Sequence, residues 1–332
     1  MLLTKCNSGE WLAPGFIDLQ VNGFAGVDYN APSASHEEIA RSLRVMFSTG
    51  VTQCLPTIIT GSPGNMLSAL RNLASARRHC PGVAGFHVEG PHISPDDGPR
   101  GAHPRPWVRR PDVAEYRRWQ EATDGAVKLV TLAPEWPEAP GYIEALVRDG
   151  VAVSIGHTGA TGAQIAEAVS AGATLSTHLG NGAHATLPRH PNYIWEQLAE
   201  DRLSASFIVD GLHLPDAFLR VALRAKGIGR SVLVTDAVMP AMCSPGPYML
   251  GEVEVELKDD QRVVLRGGTR LAGSSLRMDA AISNVMGIAG VSLEDAVAMA
   301  TGNPGRLIGV EPRGSVRFLV DGGRVDIVET LP

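Results

Sequence analysis

The feature that most constrains this chain is the regular alternation of short apolar runs with segments of helical periodicity. Runs of about four to eight residues that are rich in β-branched side chains and end in Gly, Pro or polar residues are typical of buried strands. The chain has eight of them: Gly15–Asp18, Val51–Thr57, Val83–Glu89, Lys128–Ala133, Val151–His157, Ala173–His178, Ser204–Asp210 and Ser231–Asp236.

Between and after these runs lie segments whose apolar residues recur every three or four positions, which indicates helices. They are Ser35–Ser48, Asn65–His79, Asp112–Thr123, Gly141–Asp149, Thr161–Ala171, Ile194–Glu200, Pro215–Ala225 and Ser275–Ala289. Eight strand-helix units in succession predict an α/β fold, a (β/α)8 TIM-type barrel. A doubly wound parallel sheet is the alternative, but it would carry a Gly-rich phosphate loop after its first strand, where this chain has DLQVNG.

The parts of the chain outside this pattern predict small β additions to the barrel. Glu252–Leu257 and Arg262–Leu265 alternate apolar and polar residues, so we expect a β-hairpin insertion at about 248–268. We expect the barrel itself to span 14–305. The remaining residues, expected to form a small, reduced β appendage from the chain ends, are 1–13 and 306–332.

Composition narrows the classes of partner. With Lys+Arg 29 against Asp+Glu 35 the net charge is −6, so no basic excess exists to bind a phosphate backbone or anionic lipids. We therefore expect no nucleic-acid partner and no membrane partner. The first residues, MLLTKCNSGEW, lack the apolar core of a signal peptide, and the four cysteines lie far apart. A cytoplasmic location is expected, since a reducing compartment suits such cysteines.

Ionisable residues fall at the ends of five of the eight apolar runs. They are Glu89, His157, His178, His213 and Asp236. In a TIM-type barrel the carboxyl ends of all strands meet at one rim, which carries the chemistry. A single His after a strand is more often a hydrogen-bonded structural residue, but five such groups in one mouth are costly to bury unless they pair or bind a cation.

A shared metal ion is the simplest explanation for this cluster. One Glu and two His residues with an open fourth position form the ligand set of a hydrolytic zinc site. Asp236 is not needed as a metal ligand. A carboxylate beside an attacking water can accept the proton of that water and return it to a leaving group.

At these residues the chain resembles the amidohydrolase superfamily and, within it, the family of N-acetylglucosamine-6-phosphate deacetylases. The matching stretches run in order along most of the chain. They are PGFIDLQVNG (14–23), HVEGPHIS (87–94), GPRGAHP (98–104), TLAPE (131–135), GHTGAT (156–161), THLGNGAH (177–184), IVDGLH (208–213), LVTDAV (233–238) and LAGSSLRMD (271–279).

The resemblance implies a role for each matched residue. Glu89, His157 and His178 would bind one divalent metal ion per chain, with zinc the expected ion. Asp236 would be the general base and then the general acid, and His213 would hydrogen-bond the acetyl carbonyl oxygen. The residues that would contact the amino-sugar phosphate are His213, Ala102, His103, Asn181, Gly182, Arg189, Leu271, Ala272 and Gly273.

Gln20 and Asn22 occupy the positions where many amidohydrolases have His-x-His and bind a second metal. Neutral amides are poor ligands for a second transition metal, so a site with one metal ion is expected. Arg189 stands where the family supplies a guanidinium for the substrate phosphate, often across a dimer interface. The resemblance therefore also implies a homodimer.

The chain departs from the family in the loop after the sixth strand. Gly180, Gly182 and Ala183 replace an aromatic residue and an Ala-Met pair, so a looser pocket wall is expected, while His184 is expected at the surface. The predicted reaction is hydrolysis of N-acetylglucosamine 6-phosphate to glucosamine 6-phosphate and acetate. The alternatives are an amidohydrolase acting on a different N-acyl sugar or cyclic amide, and a catalytically silent sugar-phosphate binding protein.

Overall fold

The computed structural model describes residues 3–251 and 253–332. Residues 1 and 2 of the expected appendage and Glu252 of the expected hairpin lie outside the described residues. The strands are β1 (Thr4–Lys5), β2 (Trp11–Pro14), β3 (Phe16–Val21), β4 (Gly23–Phe24), β5 (Val27–Asp28), β6 (Val51–Ile59), β7 (Phe86–Glu89), β8 (Val127–Leu132), β9 (Ala152–Ile155), β10 (Leu175–Ser176), β11 (Ser204–Phe207), β12 (Ser231–Leu233), β13 (Gly246–Leu250), β14 (Val253–Leu257), β15 (Val263–Leu265), β16 (Ser315–Asp321) and β17 (Arg324–Leu331).

The α-helices surround these strands. They are α1 (His36–Phe47), α2 (Pro63–Arg77), α3 (Val113–Ala122), α4 (Ala139–Arg148), α5 (Gly162–Ala171), α6 (Tyr193–Ala199), α7 (Asp216–Lys226), α8 (Met278–Ala289), α9 (Leu293–Ala300) and α10 (Gly302–Ile308). Single 3-10 turns occur at Arg105–Trp107 and Ile228–Arg230. Among the described residues no helix is both long and apolar enough to cross a bilayer.

The central sheet has eight parallel strands in the order β12-β11-β10-β9-β8-β7-β6-β3. Each strand corresponds to one of the eight apolar runs, and a helix follows each along the chain, so the predicted TIM-type barrel is confirmed. The first and last strands meet where Val21 forms a parallel bridge with Ala237. Three further backbone bonds join them: Asp236 N donates to Gln20 O at 2.9 Å, and Asn22 N and Gly23 N donate to Ala237 O at 2.8 and 3.1 Å.

The first barrel strand shows how the sequence pattern sets the interior. All six residues of β3 are buried, and successive side chains of a strand face opposite sides. Asp18 and Gln20 face the barrel interior, where they bond residues of other strands, while Ile17, Leu19 and Val21 join the apolar core. This alternation explains how an apolar run delivers polar side chains to the centre of the barrel.

Helix boundaries follow the expected capping chemistry. α1 begins with a capping box in which Ser35 accepts from the Glu38 backbone and the Glu38 side chain accepts from the Ser35 backbone, and α5 repeats the arrangement with Thr161 and Gln164. Side-chain caps of this kind satisfy backbone donors that would otherwise lack partners. These local signals hold the helix starts in place around the barrel.

Antiparallel sheets lie outside the barrel. Both chain ends contribute to a four-stranded sheet of order β1-β2-β16-β17. The insertion is a three-stranded sheet, β13-β14-β15, rather than the two-stranded hairpin that the alternation predicted, because β13 pairs with β14 from Gly246 to Leu250. Helices α9 and α10, which the periodicity did not predict, follow α8, and the limit expected at 305 falls within α10.

Candidate active site

The carboxyl ends of the barrel strands bring the ionisable residues together at one rim. Glu89 ends β7, and His157, His178 and Asp236 follow β9, β10 and β12 within a few residues. Glu89, His157 and His178 are buried, with at most 7% exposure, whereas Asp236 is partly exposed. The parallel arrangement predicted from the sequence thus produces a compact cluster.

Glu89 lies at the centre of this cluster. Its Oε1 is 2.9 Å from His178 Nε2 and 3.2 Å from His157 Nε2. Although burial by itself would raise the pKa of Glu89, hydrogen bonds from the two imidazoles hold it well below the ordinary value. Burial would also lower the pKa of His178, but the Glu89 carboxylate raises it.

The chemistry of this donor set fits a divalent metal ion. The ligand atoms of Glu89, His157 and His178 all lie within 4.8 Å of one another. One carboxylate and two imidazole nitrogens are ligands that zinc prefers, and three protein ligands leave a position for water or substrate. His178 Nδ1 is buried without a hydrogen-bond partner, so this ring is held by contacts at its Nε2 edge.

Two amides, one in the first barrel strand and one directly after it, hold the two carboxylates. Gln20 Nε2 donates to Glu89 Oε1 at 2.9 Å, and Asn22 Nδ2 donates to Asp236 Oδ1 at 2.6 Å. An amide nitrogen is a donor and cannot ligate a cation, whereas it fixes the orientation of a carboxylate. Gln20 and Asn22 therefore have an orienting contact that the sequence did not reveal.

Asp236 is a partly exposed carboxylate beside the cluster. Burial and the nearby charge of Glu89 raise the pKa of Asp236 above its ordinary value, against the opposing effects of His178, His213 and the Asn22 hydrogen bond. A carboxylate with a raised pKa can both accept and release a proton near neutral pH. The environment of Asp236 thus suits proton transfer.

The backbone is left-handed at three of these four residues. The φ angles are 52° at His157, 29° at His178 and 48° at Asp236. Non-glycine residues adopt positive φ uncommonly, and such strain is concentrated at functional sites. The sharp turn after each strand directs these side chains into the mouth of the barrel.

The loop between β7 and α3 covers His157. Pro99 O accepts from His157 Nδ1 at 2.8 Å, which leaves Nε2 for Glu89. The ring of His103 stands edge-on to that of His157, with centroids 4.3 Å apart, and its Nδ1 is 2.8 Å from Thr60 Oγ1. Burial lowers the pKa of His103 to about 3, so its ring is neutral in this loop.

His213 is paired with a carboxylate to which the sequence reasoning assigned no role. Asp210 Oδ2 lies 2.5 Å from His213 Nδ1, while Asp210 Oδ1 accepts from the backbone nitrogens of Leu212 and His213 at 2.8 Å. Burial would raise the pKa of Asp210, but the hydrogen bond and charge of His213 lower it. The sequence signal that could have predicted this pair is the spacing of Asp210 and His213 in the stretch DGLH.

The other expected substrate contacts lie around this cluster. Asn181 donates from its side chain to His178 O at 3.3 Å, and Gly182 packs so closely that an added Cβ would lie 2.7 Å from His157 Nδ1. Leu271–Gly273 leads into Ser274, which bridges Ala237 next to Asp236. Ala102 is exposed beside His103.

Arg189 is the expected contact that the structure does not bring to the cluster. Its side chain is exposed and makes no hydrogen bond or ion pair with any residue of 3–251 or 253–332. Only its backbone oxygen is engaged, as an acceptor from Asn192 at 3.4 Å.

Two expectations about the loop after β10 are wrong. The wall at Gly180 is filled, because Leu214 and Phe218 of the neighbouring unit lie where an added Cβ would be, both at 2.7 Å. His184 is partly buried rather than at the surface, and its ring and backbone nitrogens lie 3.0 and 2.8 Å from Tyr193 Oη. The first difference arises from residues more than thirty positions away, and the second from Tyr193, nine positions further along the chain.

Comparisons with known proteins agree with this geometry. The model of the amidohydrolase family matches residues 11–317. N-acetylglucosamine-6-phosphate deacetylase of Lysinibacillus sphaericus is 33% identical over 98% of this chain and 83% of its own length. N-acetylgalactosamine-6-phosphate deacetylase of Shewanella sp. (strain ANA-3) is 36% identical over 92% of this chain and 75% of its own length.

A solved structure gives the same result. A mutant N-acetylglucosamine-6-phosphate deacetylase from Mycobacterium smegmatis, in complex with N-acetylglucosamine 6-phosphate, superposes with a TM-score of 0.88 at 29% identity. The match covers 96% of this chain and 85% of that chain. This chain therefore belongs to the amidohydrolase family and is related, within it, to the N-acetylglucosamine-6-phosphate deacetylases.

Proposed function

We propose that this chain is a hydrolase that removes the N-acetyl group of N-acetylglucosamine 6-phosphate, giving glucosamine 6-phosphate and acetate. The observation that carries the proposal is the convergence of Glu89, His157 and His178 beside Asp236, whose pKa is raised. The family and the named activities of its relatives give the substrate class.

Glu89, His157 and His178 would hold one divalent metal ion per chain, with zinc as the proposed ion. Such an ion supplies Lewis acidity, which polarises an amide carbonyl and makes water a competent nucleophile near neutral pH. Gln20 supports the site by holding the Glu89 carboxylate in place.

Asp236 would take the proton from the attacking water and return it to the departing amine nitrogen. Asn22 keeps the Asp236 carboxylate oriented for both transfers. His213, held at Nδ1 by Asp210, would offer Nε2 to the acetyl carbonyl oxygen. The amide is thus attacked between a proton acceptor and a group that stabilises the developing negative charge.

The sugar phosphate would be held by residues around the mouth. Ala102 and His103 would contact the sugar on one side and Leu271, Ala272 and Gly273 on the other. We propose Asn181, Gly182 and Arg189 as the phosphate-side contacts, with Arg189 reaching the site of a second subunit in a homodimer. A cytoplasmic location is part of the same proposal and is consistent with four free cysteines.

A substrate panel tests this function. Purified protein loaded with zinc is assayed for acetate release from N-acetylglucosamine 6-phosphate, N-acetylgalactosamine 6-phosphate, N-acetylglucosamine and a cyclic amide. We expect the first to have the highest kcat/KM. Metal analysis is expected to show one zinc per chain, and chelation should abolish activity that added zinc restores. Absence of acetate release from every sugar would reject the proposal.

A further inference from the structure

The fourth barrel strand, β8, contributes no residue to the metal cluster, yet it lies between two strands that do. β8 pairs with β7, which ends at Glu89, and with β9, which His157 follows. Residues 131–136 at its carboxyl end include TLAPE, one of the stretches that carry the family resemblance, and the proposed function gives them no role. We name residues 131–136 the β8 rim segment.

On one side the β8 rim segment is bonded to the chain that follows Glu89. Ala133 N donates to His92 O at 2.9 Å. The indole nitrogen of Trp136 donates to Ile93 O at 3.0 Å. The residues just after the first metal ligand are therefore held by this segment.

On the other side one carboxylate of the β8 rim segment, that of Glu135, holds the turn after His157. Thr158 Oγ1 donates to Glu135 Oε2 at 2.5 Å, and Gly159 N donates to Glu135 Oε1 at 3.0 Å. Thr158 Oγ1 in turn accepts from Ala160 N at 2.9 Å. Two backbone donors of this turn thus bond side chains rather than backbone oxygens, so the shape of the turn depends on Glu135.

The turn held by Glu135 starts from a residue in a costly conformation. His157 has a φ of 52°, and a positive φ at a residue other than glycine persists only where the surrounding contacts impose it. The buried ring of His157 must also place Nε2 3.2 Å from Glu89 Oε1. Within the described part of the chain Glu135 has no cation at ion-pair distance, so its carboxylate serves the donors of the turn.

We propose that Glu135 is a positioning residue for the metal site, which fixes the turn 158–160 and thereby holds His157 in place as a ligand. The inference rests on the proposed function, which places a divalent ion on Glu89, His157 and His178. Groups that orient a metal ligand from outside change metal affinity by about 10- to 100-fold when they are lost. Pro99 O orients the His157 ring at Nδ1, whereas Glu135 acts on the backbone that carries the ring.

The test measures zinc binding by metal-free protein. Glu135→Ala removes both acceptors of the turn, and Glu135→Gln keeps one oxygen that can accept. The control is Glu144→Ala, which changes an exposed glutamate of α4 whose side chain makes no hydrogen bond or ion pair with the described residues. Competition with a chelating indicator gives the zinc Kd. We expect it to rise about 10- to 100-fold in Glu135→Ala, by less in Glu135→Gln and not at all in Glu144→Ala.

Cobalt(II) substitution adds a readout that a purely structural role would not change. The visible absorption bands of bound cobalt report the arrangement of its ligands, so the bands at saturating cobalt should differ from those of the wild type in the Glu135 variants and not in Glu144→Ala. Thermal unfolding of the metal-free chains checks folding. Glu135→Gln, the more conservative change, decides the question if Glu135→Ala does not fold.

An unchanged zinc Kd in every Glu135 variant that folds would overturn the proposal. An unchanged cobalt spectrum would also overturn it, because Glu135 would then support the fold without positioning His157. These titrations need no substrate. A wild-type chain that binds zinc but hydrolyses no sugar would therefore reject the proposed function alone, whereas a wild-type chain that binds no zinc would reject both.

Discussion

At the scale of single residues, the site depends on side chains held in costly conformations. His157, His178 and Asp236 each have a positive φ, which costs about 1–3 kcal/mol per residue. Close packing maintains the first of them, since Pro99, His103 and Gly182 surround the His157 ring. The contacts of the folded barrel therefore offset a local strain that these residues would not adopt by themselves.

Asp236→Asn tests the proton transfer without removing this backbone conformation. Asn is among the residues that tolerate positive φ, and its Oδ1 can still accept from Asn22. We expect kcat to fall by about 10²-fold or more, because the amide cannot take a proton from water. Metal content and thermal stability should remain. The control is Asp259→Asn, which changes an exposed residue in the turn before β15. A near-normal kcat in Asp236→Asn would exclude Asp236 as the general base.

At the scale of elements, a buried carboxyl joins the first and eighth barrel strands. Asp18 of β3 accepts from Thr235 Oγ1 at 2.5 Å and from Gln20 N at 3.2 Å. Burial raises the pKa of Asp18 to about 7, which the hydrogen bonds from Thr235 and Gln20 only partly oppose. The barrel is thus closed by a group whose protonation changes near neutral pH.

Asp18→Asn is expected to change how stability depends on pH. The raised pKa means that the folded chain binds the Asp18 proton more tightly, so its stabilising contribution is present below about pH 4 and lost as pH rises to about 7. Asn cannot ionise. The free energy of unfolding of the variant minus that of the wild type should therefore increase over this range, by up to about 4 kcal/mol.

Urea unfolding at intervals of pH measures this difference. Asp259→Asn serves again as the matched change, since the Asp259 side chain is exposed and makes no hydrogen bond or ion pair with the described residues. A difference that stays flat between pH 4 and pH 7 would show that Asp18 titrates alike in the folded and unfolded chains.

The loop after β10 contains a glycine that the packing requires. Gly180 has a φ of 102°, and an added Cβ would lie 2.7 Å from both Leu214 and Phe218. We expect Gly180→Ala to lower the free energy of unfolding by about 1–3 kcal/mol through strain and overpacking. Gly287→Ala, in α8 with no atom near the added Cβ, should instead be neutral or stabilising. Equal denaturation midpoints for the two variants would contradict the packing argument.

At the scale of the whole molecule, the proposed homodimer would complete the site. The Arg189 side chain makes no hydrogen bond or ion pair with the described residues, so its proposed role in binding phosphate requires a second subunit or the bound substrate. A lone exposed guanidinium in a Pro-rich loop is well suited to bidentate phosphate recognition.

Mixing Asp236→Asn chains with Arg189→Ala chains tests this arrangement. We expect Arg189→Ala alone to raise KM for the 6-phosphorylated sugar and to leave the unphosphorylated sugar unchanged. After subunit exchange, a hybrid dimer would hold one site in which both residues are intact, and activity should partly recover. No recovery despite demonstrated exchange would mean that Arg189 does not act across an interface.

The sequence by itself determined the barrel and the location of its chemistry. Both follow from local patterns. Each apolar run and the helix after it lie within a few tens of residues, so their order is visible in the sequence. A residue at the end of a parallel strand must lie at the rim that all strand ends share. Glu89, His157 and His178 could therefore be grouped before any distance was known. Strand β13 of the insertion was not predicted, because its residues, GPYML, do not alternate clearly between apolar and polar side chains.

Only the tertiary structure decided which groups hold the site in place. Gln20 meets Glu89 across 69 positions, Asp18 meets Thr235 across 217, and Arg270 meets Gly101 across 169. Asp210 lies only three positions from His213, yet its role appears only in the geometry of the bond between them. No local pattern encodes these partners, because closure of the barrel and the packing of its loops bring them within hydrogen-bonding distance.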